Sequence, residues 1–250
     1  MGRPVPKTDS ACAGWETPMN QLTDRIVLIT GARGGLGTHV TKAFLEAGGW
    51  VVGSSRTIAD SEFASPRFVG ISADLTNAAD VRKLTAAVVK RFQKVDVLVH
   101  LTGGFAGGSP IHETDDATWQ QMIDVNLRAA VYTLSAVIPH MRKNKHGRIV
   151  VVAGRAGVEP APNIGAYSAS KAALVSLVRT AALENRDFGI TANAILPGTI
   201  DTEVNRKSDP SADRSKWVSP DLLAQVMVFL ASDGAAQITG AAIPVYGAQV

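Results

Sequence analysis

Cysteine is nearly missing from this 250-residue chain: Cys12 stands alone, which rules out an intrachain disulfide, and no Cys/His spacing offers a metal site. That composition fits a reducing, cytoplasmic setting. No apolar run approaches the roughly 18 residues that a membrane-spanning helix needs. Met1–Asp24 carries prolines and lacks the apolar segment of a signal peptide. Residues before about Leu22 read as a flexible extension, with Met19 an alternative start. Charge of one sign is scarce as well. The 25 basic and 22 acidic side chains leave a formal charge of +3, spread along the chain rather than gathered into a stripe, which argues against nucleic acid as a partner. The one basic run, Arg142-Lys143-Asn144-Lys145-His146, falls where a helix should end and complements its dipole.

What is present is a core-forming composition, 46% hydrophobic and 19% charged, which suits a compact globule. From Arg25 onward, short β-branched runs alternate with longer amphipathic stretches, the pattern of βα units feeding a parallel sheet. Strands are predicted at Arg25–Thr30, Trp50–Ser54, Arg67–Ala73, Val95–Leu101, Arg148–Ala153, Ile190–Leu196 and Ala242–Val245. Helices are predicted at Gly35–Ala47, Ala78–Phe92, Asp116–Lys143, Ala166–Asn185 and Pro220–Ala231. The expectation is an α/β fold: an extension over residues 1–21, then a single doubly wound Rossmann-type domain over 22–250, with a mostly parallel sheet of about seven strands.

The first predicted strand runs into Thr30-Gly31-Ala32-Arg33-Gly34-Gly35-Leu36-Gly37 and then directly into a helix. A glycine-rich turn in that order lets backbone approach a pyrophosphate, while the helix N-terminus offers unpaired N–H groups. After the second strand, Gly53-Ser54-Ser55-Arg56 has no carboxylate to accept bonds from an adenosine ribose. Arg33 and Arg56, aided by Ser54 and Ser55, instead suit a 2′-phosphate, so NADP is favoured and NAD stays open. Asp74-Leu75, closing the third strand, is placed beside the adenine, with Asp74 also a candidate helix N-cap.

Tyr167-Ser168-Ala169-Ser170-Lys171 puts a phenol and an ammonium on one helical face. A nearby ammonium favours the ionised phenol and moves it toward the range useful for acid–base catalysis.

At this point the chain resembles the short-chain dehydrogenase/reductase family, from about Leu22 to the C-terminus. Gly31, Gly35 and Gly37 match its Thr-Gly-x-x-x-Gly-x-Gly turn, Asn126 matches its helix asparagine, Tyr167 and Lys171 match its Tyr-x-x-x-Lys, and Pro197-Gly198-Thr199-Ile200 matches its nicotinamide loop. Phe229-Leu230-Ala231-Ser232-Asp233 with Ile238-Thr239-Gly240 is similar to the 3-oxoacyl-carrier-protein-reductase-like branch. The resemblance implies hydride exchange between a nicotinamide and a small-molecule carbonyl or alcohol substrate. Tyr167 would move the proton, Lys171 would hold the ribose hydroxyls and lower the Tyr167 pKa, and Asn126 would keep a proton relay. It implies cofactor contacts also from Leu36, Thr102, Gly103 and Thr202, and a homotetramer or dimer built on the long helices.

Two departures stand out. The family's Asn-Asn-Ala-Gly is here His100-Leu101-Thr102-Gly103, where His100 becomes the candidate for the lost polar tie to neighbouring backbone. The family's catalytic serine falls on Gly154, which removes one hydrogen bond to the reacting oxygen. Thr102, Arg155 or a trapped water are candidate substitutes, and restoring a hydroxyl by Gly154→Ser is expected to raise kcat. Gly154 also motivates a rival reading, a cofactor-binding but catalytically impaired partner subunit. Phe105, in Gly103-Gly104-Phe105-Ala106-Gly107-Gly108, is a candidate for a substrate pocket. The polar stretch between Thr202 and Ser219, containing Asn205-Arg206-Lys207, is placed as a mobile substrate lid or an ordinary solvated loop.

Overall fold

The computed structural model describes residues 21–248. The expected N-terminal extension, with Cys12 and Met19, lies outside the described residues except for its last position. Leu22 is already core, fully buried, with its N–H bonded to the Ala47 carbonyl at 2.9 Å.

Seven parallel strands form one sheet in the order β3-β2-β1-β4-β5-β6-β7. They are β1 Ile26–Thr30, β2 Trp50–Ser55, β3 Phe68–Ser72, β4 Val97–His100, β5 Gly147–Val152, β6 Ile190–Pro197 and β7 Ala242–Val245. Strands β1, β4, β5 and β6 are buried along their whole length, which is why they read as apolar on both faces rather than alternating.

Helices cover both faces. Leu28, Leu98 and Ile149 pack on one side with α2 (Ala78–Phe92), α4 (Ala129–Asn144) and α5 (Gly165–Asn185). Val27, Val97 and Val99 pack on the other with α1 (Gly35–Glu46) and α7 (Pro220–Ala231). Each such fully buried aliphatic side chain contributes about 1.5–3 kcal/mol. Strand order reverses between β1 and β4, so a crevice opens at the carboxyl ends of these strands. Register brings Thr30 level with His100, and His100 level with Val151, at that crevice.

The structure corrects two local expectations. The helix expected over Asp116–Lys143 is three pieces: α3 (Asp116–Met122), a π-helical turn at Ile123–Arg128, and α4. The wider turn carries Asn126, which is fully buried and bonded to other elements, and such bulges recur at functional positions. Helix α2 is capped by Asn77, whose Oδ1 accepts from the N–H groups of Ala79 at 2.8 Å and Asp80 at 3.3 Å, and not by Asp74. The basic run behaves as expected: α4 stops at Asn144, with Lys145 left-handed at φ 51°. The polar stretch after β6 contains a short helix, α6 (Glu203–Ser208).

Candidate active site

Gly31 leaves β1 at φ +71°, and a Cβ on Gly37 would fall 2.0 Å from the Gly31 carbonyl oxygen, so no larger residue fits. Helix α1 starts at this turn with no side-chain cap and no acidic residue in its first turn. Its first N–H groups and positive dipole end therefore suit an anion such as a pyrophosphate. A Cβ on Gly35 would press to 3.1 Å from the Thr202 side chain, so close packing brings the loop after β6 onto the turn. Leu36 packs against the α1/α7 core layer.

From the turn an open cleft of about 870 Å³ runs across the carboxyl ends of the strands. Gly31, Arg33, Ser55, Arg56, Asp74 and Leu75 line one end, and Thr102, Gly103, Gly104 and Phe105 the other. The dimensions and the glycine-built floor fit a dinucleotide. Arg33 is engaged by partners that sequence reasoning missed. Its Nε donates to Glu62 Oε1 at 3.1 Å, and its Nη1 to Thr57 Oγ1 at 3.1 Å and the Thr57 carbonyl at 3.4 Å. Glu62 is 29 residues from Arg33, and no local pattern links the two. The Ser55 hydroxyl accepts from the Arg33 backbone N–H at 3.2 Å. Hydrogen bonds from Thr76, helped by the nearby Arg56 charge, hold the Asp74 carboxyl below its usual range. Asp74 thus closes a local turn on Thr76, with its Oδ1 accepting from the Thr76 N–H at 2.9 Å and hydroxyl at 2.7 Å.

At the other end the side chains are buried. Lys171 donates to the Val152 carbonyl at 3.2 Å, and burial pulls its pKa down to about 8. Asn126 is clamped: Oδ1 accepts from the Gly104 N–H at 2.9 Å, and Nδ2 donates to the Gly104 carbonyl and to Ser170 Oγ, both at 3.1 Å. A Cβ on Gly103 would lie 2.9 Å from Asn126 Oδ1 and 3.2 Å from Lys171 Nζ, so both groups stand directly behind this cleft-lining glycine. Tyr167 departs from expectation. Burial pushes its hydroxyl pKa up, and Lys171 Nζ sits 5.8 Å from the ring centre with its hydrogen bond directed elsewhere. The phenol is therefore held protonated rather than made acidic.

The tie to neighbouring backbone expected of His100 is made by Thr30, which His100 supports. Its Nδ1 meets Thr30 Oγ1 at 3.1 Å, and that hydroxyl accepts from the N–H groups of Leu101 at 3.2 Å and Thr102 at 3.4 Å. Burial, reinforced by the Lys171 charge, drives the His100 pKa down to about 3, so the ring is neutral.

Gly154 sits at φ +143°, ψ 155°, a region essentially restricted to glycine. A Cβ there would lie 3.1 Å from the Tyr167 hydroxyl. The position faces Tyr167 as expected, but the backbone is closed to serine, which corrects the expectation that Gly154→Ser would simply restore a donor. Of the candidate substitutes, Thr102 lines the cleft, whereas Arg155 is bonded to Glu159 at 2.7 Å and lies 4.6 Å over the Tyr246 ring.

Pro197 ends β6, and the Gly198 N–H bonds the Val245 carbonyl at 3.0 Å. Ile200 bridges to Val218, and Thr202 Oγ1 caps α6 through the Asn205 N–H at 3.4 Å. The polar stretch is internally paired: Arg206 bonds Asp201 at 2.6 and 2.9 Å, and Lys207 pairs with Glu203 at 2.6 Å.

Among the described residues no helix is long and apolar enough to cross a membrane, and no cluster of three or more metal-ligating side chains occurs. Residues 25–213 match the short chain dehydrogenase family. The chain is 32% identical over 242 residues to the (2S)-[(R)-hydroxy(phenyl)methyl]succinyl-CoA dehydrogenase subunit BbsD of Thauera aromatica, covering 90% of this chain and 96% of that protein. Its fold superposes on the solved structure of ElxO with NADP bound (TM-score 0.85, 28% identity, 90% and 98% of the two chains). It likewise superposes on a Bacillus thuringiensis protein described as a 3-oxoacyl-reductase (TM-score 0.80, 30% identity, 91% and 98%). With a family match spanning well over half its length and a sheet of the corresponding topology, this protein belongs to the short-chain dehydrogenase/reductase family of oxidoreductases, which bind a nicotinamide cofactor.

Proposed function

We propose that the protein is an NADP-preferring carbonyl reductase or alcohol dehydrogenase in which Tyr167 is the acid–base group. The observation that carries the reading is the convergence of Asn126 and Lys171 on Gly103, at the end of the cleft that the glycine turn begins. The chemistry that a bound nicotinamide would supply is hydride transfer to or from the carbonyl carbon. Tyr167, kept protonated by burial, donates its proton to the carbonyl oxygen, which suits the reductive direction. Lys171 binds the ribose hydroxyls and returns a proton toward Tyr167. Its pKa of about 8 lets it give up that proton near neutral pH. Asn126, fixed by Gly104 and Ser170, anchors the relay from Lys171. Arg33 and Arg56, which line this end of the cleft, would hold the adenosine 2′-phosphate. Pro197, Gly198, Ile200 and Thr202 hold the nicotinamide end. The relative BbsD is named for a dehydrogenase of a hydroxyl-bearing compound, and ElxO was solved with NADP, which supports both halves of the reading.

We extend the proposal to a cytoplasmic homotetramer or dimer assembled through α4 and α5, whose Val131 and Leu183 are exposed. Sedimentation of the purified chain tests it, a monomer at micromolar concentration being the contrary result.

The functional reading is tested by titrating NADPH and NADH against intrinsic fluorescence and by following NADPH consumption over a panel of ketones. Tighter NADPH binding, weakened in Arg56→Ala, together with turnover of some ketone, is the expected result. Cofactor binding with no turnover of any carbonyl or carbinol would favour the impaired-partner reading that Gly154 motivates.

A further inference from the structure

Phe105 is a large apolar side chain left 66% exposed, and it is the residue at which the cofactor cleft meets Tyr167. Its ring stands edge-on to the Tyr167 ring, with centroids 5.0 Å apart and planes at 73°. The loop that carries it is fastened. Gly108, at φ +115°, donates its N–H to the Asn163 carbonyl at 2.8 Å, and a Cβ on Gly107 would fall 2.7 Å from Ile164 Cγ2 and 3.2 Å from Phe105 Cζ. The glycines therefore let the loop lie flat on the segment before α5 and fix the Phe105 ring against Tyr167. The free area of that ring is turned to solvent at the mouth of the site.

The surroundings extend the apolar surface. Ile111, 69% exposed, packs over Gly165 in the first turn of α5, with its Cγ1 2.9 Å from where a Cβ on Gly165 would stand. Phe105, Ile164 and Ile111 thus abut the consecutive residues that lead into Tyr167. Gly154 also borders the Tyr167 hydroxyl, and apart from its chain neighbours a Cβ there would meet only that hydroxyl within 4 Å, so the glycine leaves room beside the reacting oxygen. Three basic groups of the neighbouring segments have carboxylate partners: Arg155 with Glu159, Arg206 with Asp201 and Lys207 with Glu203. An aromatic ring entering the site would find Phe105 exposed and held in place.

We infer that this site takes an uncharged ketone or secondary alcohol with an aryl group next to the reacting carbon, the aryl ring stacking on Phe105 and the second substituent occupying the space beside Gly154. The inference rests on the reductase reading and adds the substrate class. An aryl ring bound there buries exposed Phe105 area, and that burial and the aromatic contact together favour the aryl substrate by roughly ten- to a hundredfold.

The test compares an aryl alkyl ketone, a small dialkyl ketone and a ketone bearing a carboxylate, each with saturating NADPH, for parent, Phe105→Ala and Phe105→Tyr. kcat/KM is read by NADPH consumption, and binding of each ketone to the NADPH complex by calorimetry. The expected result is a preference of at least about tenfold for the aryl ketone, expressed mainly in KM, collapsed in Phe105→Ala and kept in Phe105→Tyr. Equal or better use of the carboxylated or small ketone, or an unchanged ratio in Phe105→Ala with cofactor binding intact, would overturn it. If nothing is turned over, calorimetry separates the two ideas. Aryl binding that Phe105→Ala removes sustains the substrate class while the reductase reading falls, and equal weak binding of all three ketones sinks the substrate class as well.

Discussion

The two ends of the cleft are built by opposite means. At the adenosine end, backbone does the work: Gly31, Gly35 and Gly37 shape the turn, α1 offers uncapped N–H groups, and the charged residues Arg33 and Arg56 are exposed. At the chemical end, buried side chains do it: Lys171, Asn126 and His100 are at most 4% exposed, and Tyr167 is partly covered by Phe105. The difference teaches where electrostatics has leverage. Exposed charges are screened by water, and their pairings are weak and adjustable. Buried groups titrate far from their usual values, because burial penalises the charged form.

The largest effect is expected at the chemical end. Tyr167→Phe should lower kcat by roughly 10²–10⁴-fold while NADPH affinity at the distant adenosine end stays within about twofold. A variant that keeps most of the parent's turnover would break the assignment, and one that loses cofactor binding would show the two ends to be coupled.

Next comes the pH profile of stability. In the unfolded chain the His100 ring takes a proton near 6.5, but in the fold only near 3. Between those values the unfolded state binds more protons, so this contribution is lost as pH falls from about 6.5 toward 3, by about 1.4 kcal/mol per unit. His100→Asn removes that group, and its melting temperature should decline less steeply over the same range. Parallel acid limbs would mean that His100 is not held neutral. Lys171 carries the same sign in a more alkaline window. Its pKa of about 8 lies below the ordinary 10.5, so its unfavourable burial is relieved as pH rises through that interval, and Lys171→Met should abolish the rise.

Gly154→Ser forces a backbone conformation at φ +143° that costs about 1–3 kcal/mol, so thermal melts should fall by several degrees. No gain in kcat is expected, because a Cβ only 3.1 Å from the Tyr167 hydroxyl crowds the acid–base group unless the strained turn shifts. An unchanged melting temperature would show that the turn adjusts freely.

The smallest effect belongs to the exposed end. Glu62→Gln leaves the Arg33 charge uncompensated, and NADPH should bind about two- to fivefold tighter with NADH unchanged. Weaker NADPH binding would show that Glu62 acts by positioning Arg33 rather than by neutralising it.

Much of the fold was legible in the sequence. Buried parallel strands are continuous apolar runs, so β1, β5 and β6 stood out, and α2 was bounded correctly at Ala78–Phe92. The break in Asp116–Lys143 was hidden, since Ile123–Arg128 contains no proline or glycine and the π-helical turn shows itself only where Asn126 meets Gly104 and Ser170. The candidate site residues were legible as motifs, but not their partners. Thr30 with His100, and Glu62 with Arg33, are separated by 70 and 29 residues, too far for any local pattern to join.

By itself, then, the sequence determined what depends on local chemistry and periodicity: the βα alternation, the glycine turn entering a helix, the Tyr167–Lys171 spacing and the absence of a side chain at Gly154. Tertiary structure decided what depends on burial and on distance across the fold. It kept Tyr167 protonated, placed Lys171 near 8, committed Arg33 to Glu62 and turned Phe105 outward against Tyr167. The reason is that a pKa or an orientation is set by the atoms surrounding a group, and here those atoms come from strands and loops that only the folded sheet brings together.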